Sequence, residues 1–264
     1  MDVSFHRRPL PAELVAFGSP DGRVLLGEAL AAGTAEAFFP LVAHLHTQAE
    51  PAWCGLGTLV TVLNALEIDP GRVWKGPWRW FGEELLVCCK SLELAAAEGL
   101  SLSEVACLAA CNGADVRVTP AEPDSEAVFR AAVESSVRAP EGPFVVVNYA
   151  RSVLGQTGGG HFSPVAAWHP DRDLVLVLDV ARFKYPPHWV PTGRLWQAMV
   201  DVDAATRRPR GWLSIGRPMA GTRPPDAEPL IAKLQDLGVS CPRLPELADV
   251  EGPPQSFASR KAAA

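Results

Sequence analysis

Apolar residues recur along this chain with two different periods. After Cys54, the residues Leu56, Leu59, Val60, Leu63, Ala65 and Leu66 fall three and four apart, which predicts a helix over 54–68. The same spacing predicts helices over 35–43, 85–99, 102–112 and 125–136. Further on, short runs rich in Val, Phe and Leu predict strands over 144–149, 162–168, 174–180 and 211–215. Shorter strands are expected over 23–26 and 116–119. The turn His169-Pro170-Asp171-Arg172-Asp173 joins the strands over 162–168 and 174–180 as a hairpin.

Helices first and strands later is the pattern of an α+β fold. Beyond Arg217 the pattern fades into proline and small polar residues, as in Arg223-Pro224-Pro225-Asp226. This divides the chain into a globular unit over 1–218 and a proline-rich tail over 219–264. A short helix is expected over 229–238, and disorder in the last dozen residues.

The chain has 264 residues, 48% of them hydrophobic, enough for a sizeable core. Lys plus Arg number 24 against 30 Asp plus Glu, a net charge of −6. That balance argues against nucleic acid as a partner, although Trp74, Trp78 and Trp80 interleave with Lys75 and Arg79. Those residues read instead as a loop anchored by buried tryptophans. No apolar run reaches the length of a spanning helix and no secretory leader is visible, so cytoplasm is expected and a membrane is not. Six cysteines do not make a disulfide scaffold at this length.

Chemistry concentrates around Cys54. A cysteine is ordinarily a small buried hydrophobe. This one opens a helix, where the dipole lowers a thiol pKa. Upstream lies Gln48, suited to stabilise an oxyanion. Downstream, His161 follows Gly158-Gly159-Gly160, and the hairpin brings Asp179 within its reach. The chain order of donor, Cys, His and acceptor is that of papain-like cysteine enzymes. Cys107 and Cys111 share one helix face, and with Cys88 and Cys89 they are weak candidates for binding a soft metal, with core packing the competing reading. His44, His46, His169 and His188 read as structural or surface histidines.

Two longer blocks carry a resemblance. Residues 68–81, with Trp74-Lys75-Gly76-Pro77-Trp78-Arg79-Trp80, and residues 178–191, with Asp179-Val180-Ala181-Arg182-Phe183-Lys184-Tyr185, resemble the corresponding blocks of phytochelatin synthases. The resemblance runs from about Gly27 to about Pro218 and implies a papain-like fold with glutathione γ-glutamylcysteinyltransferase activity. It implies that Cys54 is the nucleophile, His161 its acid and base, Asp179 the group orienting His161, and Gln48 the oxyanion donor beside the backbone N–H of Cys54. Arg182 and Tyr185 are expected on the acceptor side of the site, and Arg210, Asn148 and Gly160 around the donor γ-glutamyl group. The partners implied are glutathione and phytochelatin peptides, in a homodimeric enzyme.

No organic cofactor is implied. Cadmium, zinc or copper would act as activators, chiefly as metal–glutathione thiolates, in heavy-metal detoxification. Plant members of the family carry a long cysteine-containing C-terminal domain, whereas this sequence has only Cys241 beyond residue 218. Two other readings stay open: a hydrolase removing glycine from glutathione or its S-conjugates, and a non-catalytic thiol-rich protein that binds metal.

Overall fold

The computed structural model describes residues 7–218. The chain opens with a two-residue strand β1 (Val15–Ala16), followed by helices α1 (Pro20–Ala31), α2 (Phe38–Ala43), α3 (Cys54–Ala65), α4 (Leu92–Glu98) and α5 (Leu102–Cys111). Strand β2 (Asp115–Pro120), helix α6 (Glu126–Val137) and strands β3 (Phe144–Ala150), β4 (Gly160–His169), β5 (Leu174–Val177) and β6 (His188–Pro191) come next. Helix α7 (Thr192–Val200) then leads to β7 (Val202–Asp203), β8 (Arg208–Pro209) and β9 (Gly211–Gly216).

Among the described residues seven strands form one sheet in the order β1-β6-β5-β4-β3-β9-β2, and every pairing in it is antiparallel. Strands β7 and β8 form a separate pair. The sheet is buried on both faces, so β3 is apolar or buried at each of its positions. Its side chains alternate: Phe144 and Val146 join one core, and Val145, Val147 and Tyr149 the other. The first core takes Leu25 of α1, Leu41 of α2, Leu59 and Leu63 of α3 and Val105 of α5. The second takes Phe129 of α6 and Trp196 of α7. Between Val165 and Ala167 the β4–β5 register shifts, and this bulge lets Ala166 and Ala167 both face the first core.

The mixture of helices and antiparallel sheet bears out the α+β expectation. Four local readings change. Residues 23–26 lie in α1, because Ser19 caps the helix by accepting from the Gly22 amide at 3.0 Å and Pro20 starts it. The helix expected over 85–99 shrinks to a 3₁₀ turn at Glu83–Leu85 and to α4, which begins only where Ser91 caps Leu94. The strand expected over 174–180 ends at Val177, after which the Leu178 amide bonds the Pro164 carbonyl and the chain turns off the sheet. Trp78 is 70% exposed, so the tryptophan loop is not anchored by burial of all its rings; Trp74 instead donates to Glu84 at 2.6 Å. Among the described residues no helix is long and apolar enough to cross a membrane. The helix expected over 229–238, the rest of the tail and Cys241 lie outside the described residues.

Helix α3 runs against β4, and two contacts fix how closely. Thr58 Oγ1 donates to the Phe162 carbonyl at 3.1 Å, both groups being buried. At Gly55, an added Cβ would stand 2.8 Å from Val105 Cγ2 and 2.9 Å from Leu100 Cδ1, so α5 can approach the start of α3 only because that position lacks a side chain. Thr58→Val keeps the shape and removes the hydrogen bond. It is expected to cost about 1–2 kcal/mol, read from urea unfolding, by leaving the Phe162 carbonyl without this donor.

Candidate active site

Helix α3 starts where a tight loop delivers it. Gln48 opens that loop, its amide N–H bonded to the Val180 carbonyl at 3.1 Å, and the next amide, Ala49, is held by the buried carboxylate of Glu83 at 3.1 Å. Gln48 is itself buried, and its side-chain nitrogen donates to the carbonyls of Glu50 at 2.8 Å and Pro51 at 2.9 Å. Both side-chain N–H groups of Gln48 are therefore spent on shaping the loop. Cys54 follows as the first residue of the helix, where backbone N–H groups have no intrahelical partner.

His161 is the second residue of β4 and is 3% exposed. Its Nε2 lies 2.9 Å from Asp179 Oδ1, so Nδ1 is the ring atom left to face elsewhere. Asp179 sits two residues past the end of β5 and is wholly buried. The Ala181 amide donates to Oδ1 at 2.9 Å. Arg151 Nη2 straddles the carboxylate, 3.0 Å from Oδ1 and 2.8 Å from Oδ2.

Sequence reasoning missed Arg151 and the chain of groups behind it. Arg151 Nη1 donates to Gln156 Oε1 at 2.6 Å, and Gln156 Nε2 meets His188 Nε2 at 2.9 Å. His188 Nδ1 lies 2.8 Å from the Pro186 carbonyl, which can only accept, so Nδ1 carries the proton and Nε2 accepts from Gln156. The guanidinium also lies over the Tyr185 ring, 5.1 Å from its centroid. All of this lies within about ten residues of the glycine turn or of Asp179, but nothing in an isolated arginine marks it as the partner of a buried carboxylate.

Burial decides the protonation states. It pushes the Cys54 thiol up, and the Phe162 amide, the Arg151 charge and the Gly55 amide pull it down without prevailing. The depressed thiol pKa expected from the helix position is therefore corrected: the resting sulfur is a thiol. Burial likewise lowers His161 to about 4, with the Asp179 carboxylate opposing it. Burial also raises Asp179, but His161 and Arg151 outweigh it and keep the carboxyl ionised, well below the usual carboxylate range. The resting constellation is thus a neutral thiol and a neutral imidazole, backed by an ionised carboxylate and a guanidinium. An imidazole in that state can take the thiol proton as a general base, and Asp179 then steadies the imidazolium.

Cys54 and His161 line one cleft of about 570 Å³, with Arg151, Asn148, Gly158, Gly159 and Gly160 beside them. Gly158 takes φ +110°, and a Cβ there would meet Lys184 Nζ at 3.0 Å and Arg151 Cδ at 3.4 Å, so the glycine lets two cations close around the turn. Lys90, Glu98, Ser101 and Glu104 form another part of the wall, with Lys90 bound to Glu98 at 3.0 Å and Glu104 at 3.1 Å.

Of the other residues expected in the site, Asn148 and Gly160 face the cleft, and Asn148 Oδ1 is buried without a hydrogen-bond partner among the described residues. Arg210 lies behind Gly160, its Nε 3.4 Å from where a Cβ would stand, and pairs with Asp201 at 3.0 Å. Arg182 is exposed and does not line the cleft. Tyr185 is buried beneath Arg151, where its hydroxyl accepts from the Thr157 amide at 2.9 Å. These two placements depart from the expected acceptor wall, which Phe183 and Lys184 of the same segment line instead. Ala181, Phe183 and Lys184 thus face the cleft, while Arg182 and Tyr185 do not.

Comparison with known proteins fits this geometry. A family model described as phytochelatin synthase matches residues 5–212. Glutathione gamma-glutamylcysteinyltransferase 3 of Lotus japonicus is 50% identical over 216 residues, 81% of this chain and 45% of the relative. Glutathione gamma-glutamylcysteinyltransferase 1 of Arabidopsis thaliana is 48% identical over 217 residues, 82% of this chain and 44% of the relative. Glutathione gamma-glutamylcysteinyltransferase of Schizosaccharomyces pombe is 43% identical over 210 residues, 80% and 50% respectively. The chain spans about half the length of these curated relatives.

Two outcomes follow from the buried charges. His161 is held at about 4 against an ordinary 6.5, so between those values the unfolded chain binds a proton that the folded one does not. Stability then falls as pH drops through that window, by up to about 1.4 kcal/mol per pH unit for this one group, and the loss is complete below the folded pKa. His161→Gln is expected to flatten urea-unfolding free energies between about pH 4 and 6.5 by one proton's slope; parallel decline in parent and variant would refute the assignment. Arg151→Met strands the Asp179 carboxylate and is expected to cost roughly 3–5 kcal/mol in the same measurement, with Arg151→Lys only partly restoring it.

Proposed function

The chain belongs to the phytochelatin synthase family, and on that footing we propose that residues 1–218 form a papain-like catalytic unit that transfers γ-glutamylcysteine from one glutathione to another. The single observation that supports this best is the sharing of one cleft by Cys54 and His161, with Asp179 ionised behind the imidazole. The helix that carries the nucleophile packs on the sheet that carries His161, which supports the papain-like reading.

In the proposed reaction His161 Nδ1 takes the Cys54 proton as the sulfur attacks the Cys–Gly amide carbon of glutathione. The oxyanion meets the backbone N–H of Cys54, and Gln48 Nε2 joins by exchanging one of its loop carbonyls. His161 then hands its proton to the glycine nitrogen, the C–N bond breaks, and a γ-glutamylcysteinyl thioester remains on Cys54. The α-amine of a second glutathione attacks that thioester, the C–S bond breaks, and the sulfur recovers a proton through His161. Each cycle adds one γ-Glu-Cys unit.

Glutathione carries two carboxylates and one ammonium, and the cleft offers cations at Arg151, Lys184 and Lys90. Its volume suits a ligand of this size. Asn148 Oδ1, an unpartnered acceptor at the cleft, suits the donor ammonium, and Arg210 steadies the wall behind Gly160. Soft cations such as cadmium enter as thiolates of the substrate, in heavy-metal detoxification.

Incubation with glutathione and cadmium, followed by mass spectrometry, is expected to yield (γ-Glu-Cys)n-Gly oligomers. Free glycine with γ-Glu-Cys and no oligomer would instead make the chain a hydrolase. Cys54→Ser is expected to cut turnover by roughly a thousandfold or more, because among the described residues no other thiol lines the cleft.

A further inference from the structure

Four sulfurs gather away from Cys54. Cys88 and Cys89 lie on the segment before α4, and Cys107 and Cys111 lie one turn apart on α5. Cys89 and Cys107 form a disulfide with Cα atoms 6.4 Å apart, a pairing the sequence reading did not anticipate. Cys89 Sγ is 3.5 Å from Cys111 Sγ and 3.8 Å from Cys88 Sγ. The sulfurs of Cys88, Cys89 and Cys111 all lie within 4.8 Å of one another.

These separations carry information. Four thiolates at a Zn–S distance of about 2.3 Å in a tetrahedron stand about 3.8 Å apart along each edge, and a slightly larger cation needs only slightly more. Ordinary packing asks for no such closeness among four cysteines from two segments. The donor set is all sulfur, which selects thiophilic cations over magnesium or calcium.

We propose that Cys88, Cys89, Cys107 and Cys111 form a binding site for one thiophilic cation, gated by the Cys89–Cys107 disulfide. Oxidised, the site lacks two of its ligands. A small thiol reductant opens it: two thiols each give up a proton and one electron, the Cys89–Cys107 bond breaks, both sulfurs become thiols, and the reductant leaves as its own disulfide. The incoming cation then displaces the cysteine protons, and each sulfur binds as thiolate. In either state a cross-link ties the Cys88–Cys89 segment to α5. Lys90 follows that segment directly, and Glu104 on α5 is its ion-pair partner at the cleft wall. The cation therefore replaces the disulfide as the clasp behind this wall. The site is independent of the acyl-transfer reading, since it does not use Cys54.

The test uses the full chain with Cys54→Ala, which removes the cleft thiol. The chain is reduced with a phosphine, freed of reductant under nitrogen and titrated with cadmium chloride alone. One cadmium per chain is expected, with a thiolate-to-cadmium charge-transfer band and a rise in Tm. The same chain with the disulfide re-formed, and the reduced chain carrying Cys88→Ser and Cys111→Ser in addition, are expected to bind roughly tenfold or more weakly. The added serines leave the disulfide intact, so equal Tm values of the two oxidised chains establish that the variant folds. Absence of cadmium uptake by the reduced chain would overturn the proposal. So would equal affinity with and without Cys88 and Cys111, which would assign the metal to sulfur elsewhere, Cys241 included.

Discussion

A carboxylate with no access to water sits at the centre of this protein, and much of the surrounding structure answers it. Asp179 is wholly buried, and taking such a charge out of water costs several kcal/mol unless it is matched. Arg151 spans both its oxygens, His161 approaches one of them, and the Ala181 amide closes the set. Arg151 in turn needs partners for its remaining donors and finds Gln156, which leans on His188, which leans on the Pro186 carbonyl. The glycine turn, the segment after β5 and the start of β6 are thereby fastened to one another through polar contacts inside an apolar core. A chain of this kind is satisfied as a whole or not at all.

The same burial shapes Cys54 and His161. A thiol at a helix N-terminus is expected to ionise easily, but here desolvation outweighs the Phe162 amide, the Arg151 charge and the Gly55 amide. The imidazole is neutral for the same reason. Under the proposed reaction this is a useful resting state. The proton moves only when a substrate brings its carbonyl to the sulfur, and Asp179 steadies the imidazolium that results. A site that keeps its thiol protonated between turnovers also guards it from oxidation, which follows the thiolate.

The cleft joins two unlike walls. One is the glycine turn and the sheet edge, held by the buried charge network. The other is the Lys90 segment with α4 and the start of α5, where ion pairs and the sulfur cluster do the fastening. Gly55 ties the second wall to the start of the helix bearing Cys54, since α5 approaches α3 at that position.

Periodicity was enough to reveal the helix that carries Cys54, the strand that carries His161 and the hairpin that brings Asp179 to it, because each of those signals is local: apolar spacing, a run of glycines, a proline turn. Local signals also misled. The short apolar run over 23–26 reads as a strand, yet Ser19 and Pro20 start a helix through it, and the helix expected over 85–99 gave way to the segment bearing Cys88 and Cys89. Arg151 and Gln156 carried no mark at all, Arg182 and Tyr185 exchanged places with Phe183 and Lys184 at the cleft, and the disulfide partner of Cys89 lies 18 residues away. The sequence by itself determined which residues could do chemistry and which elements bore them. Only the tertiary structure decided which charges were buried, what paired with them and how protons were shared, because desolvation and close contact depend on atoms brought together from distant parts of the chain.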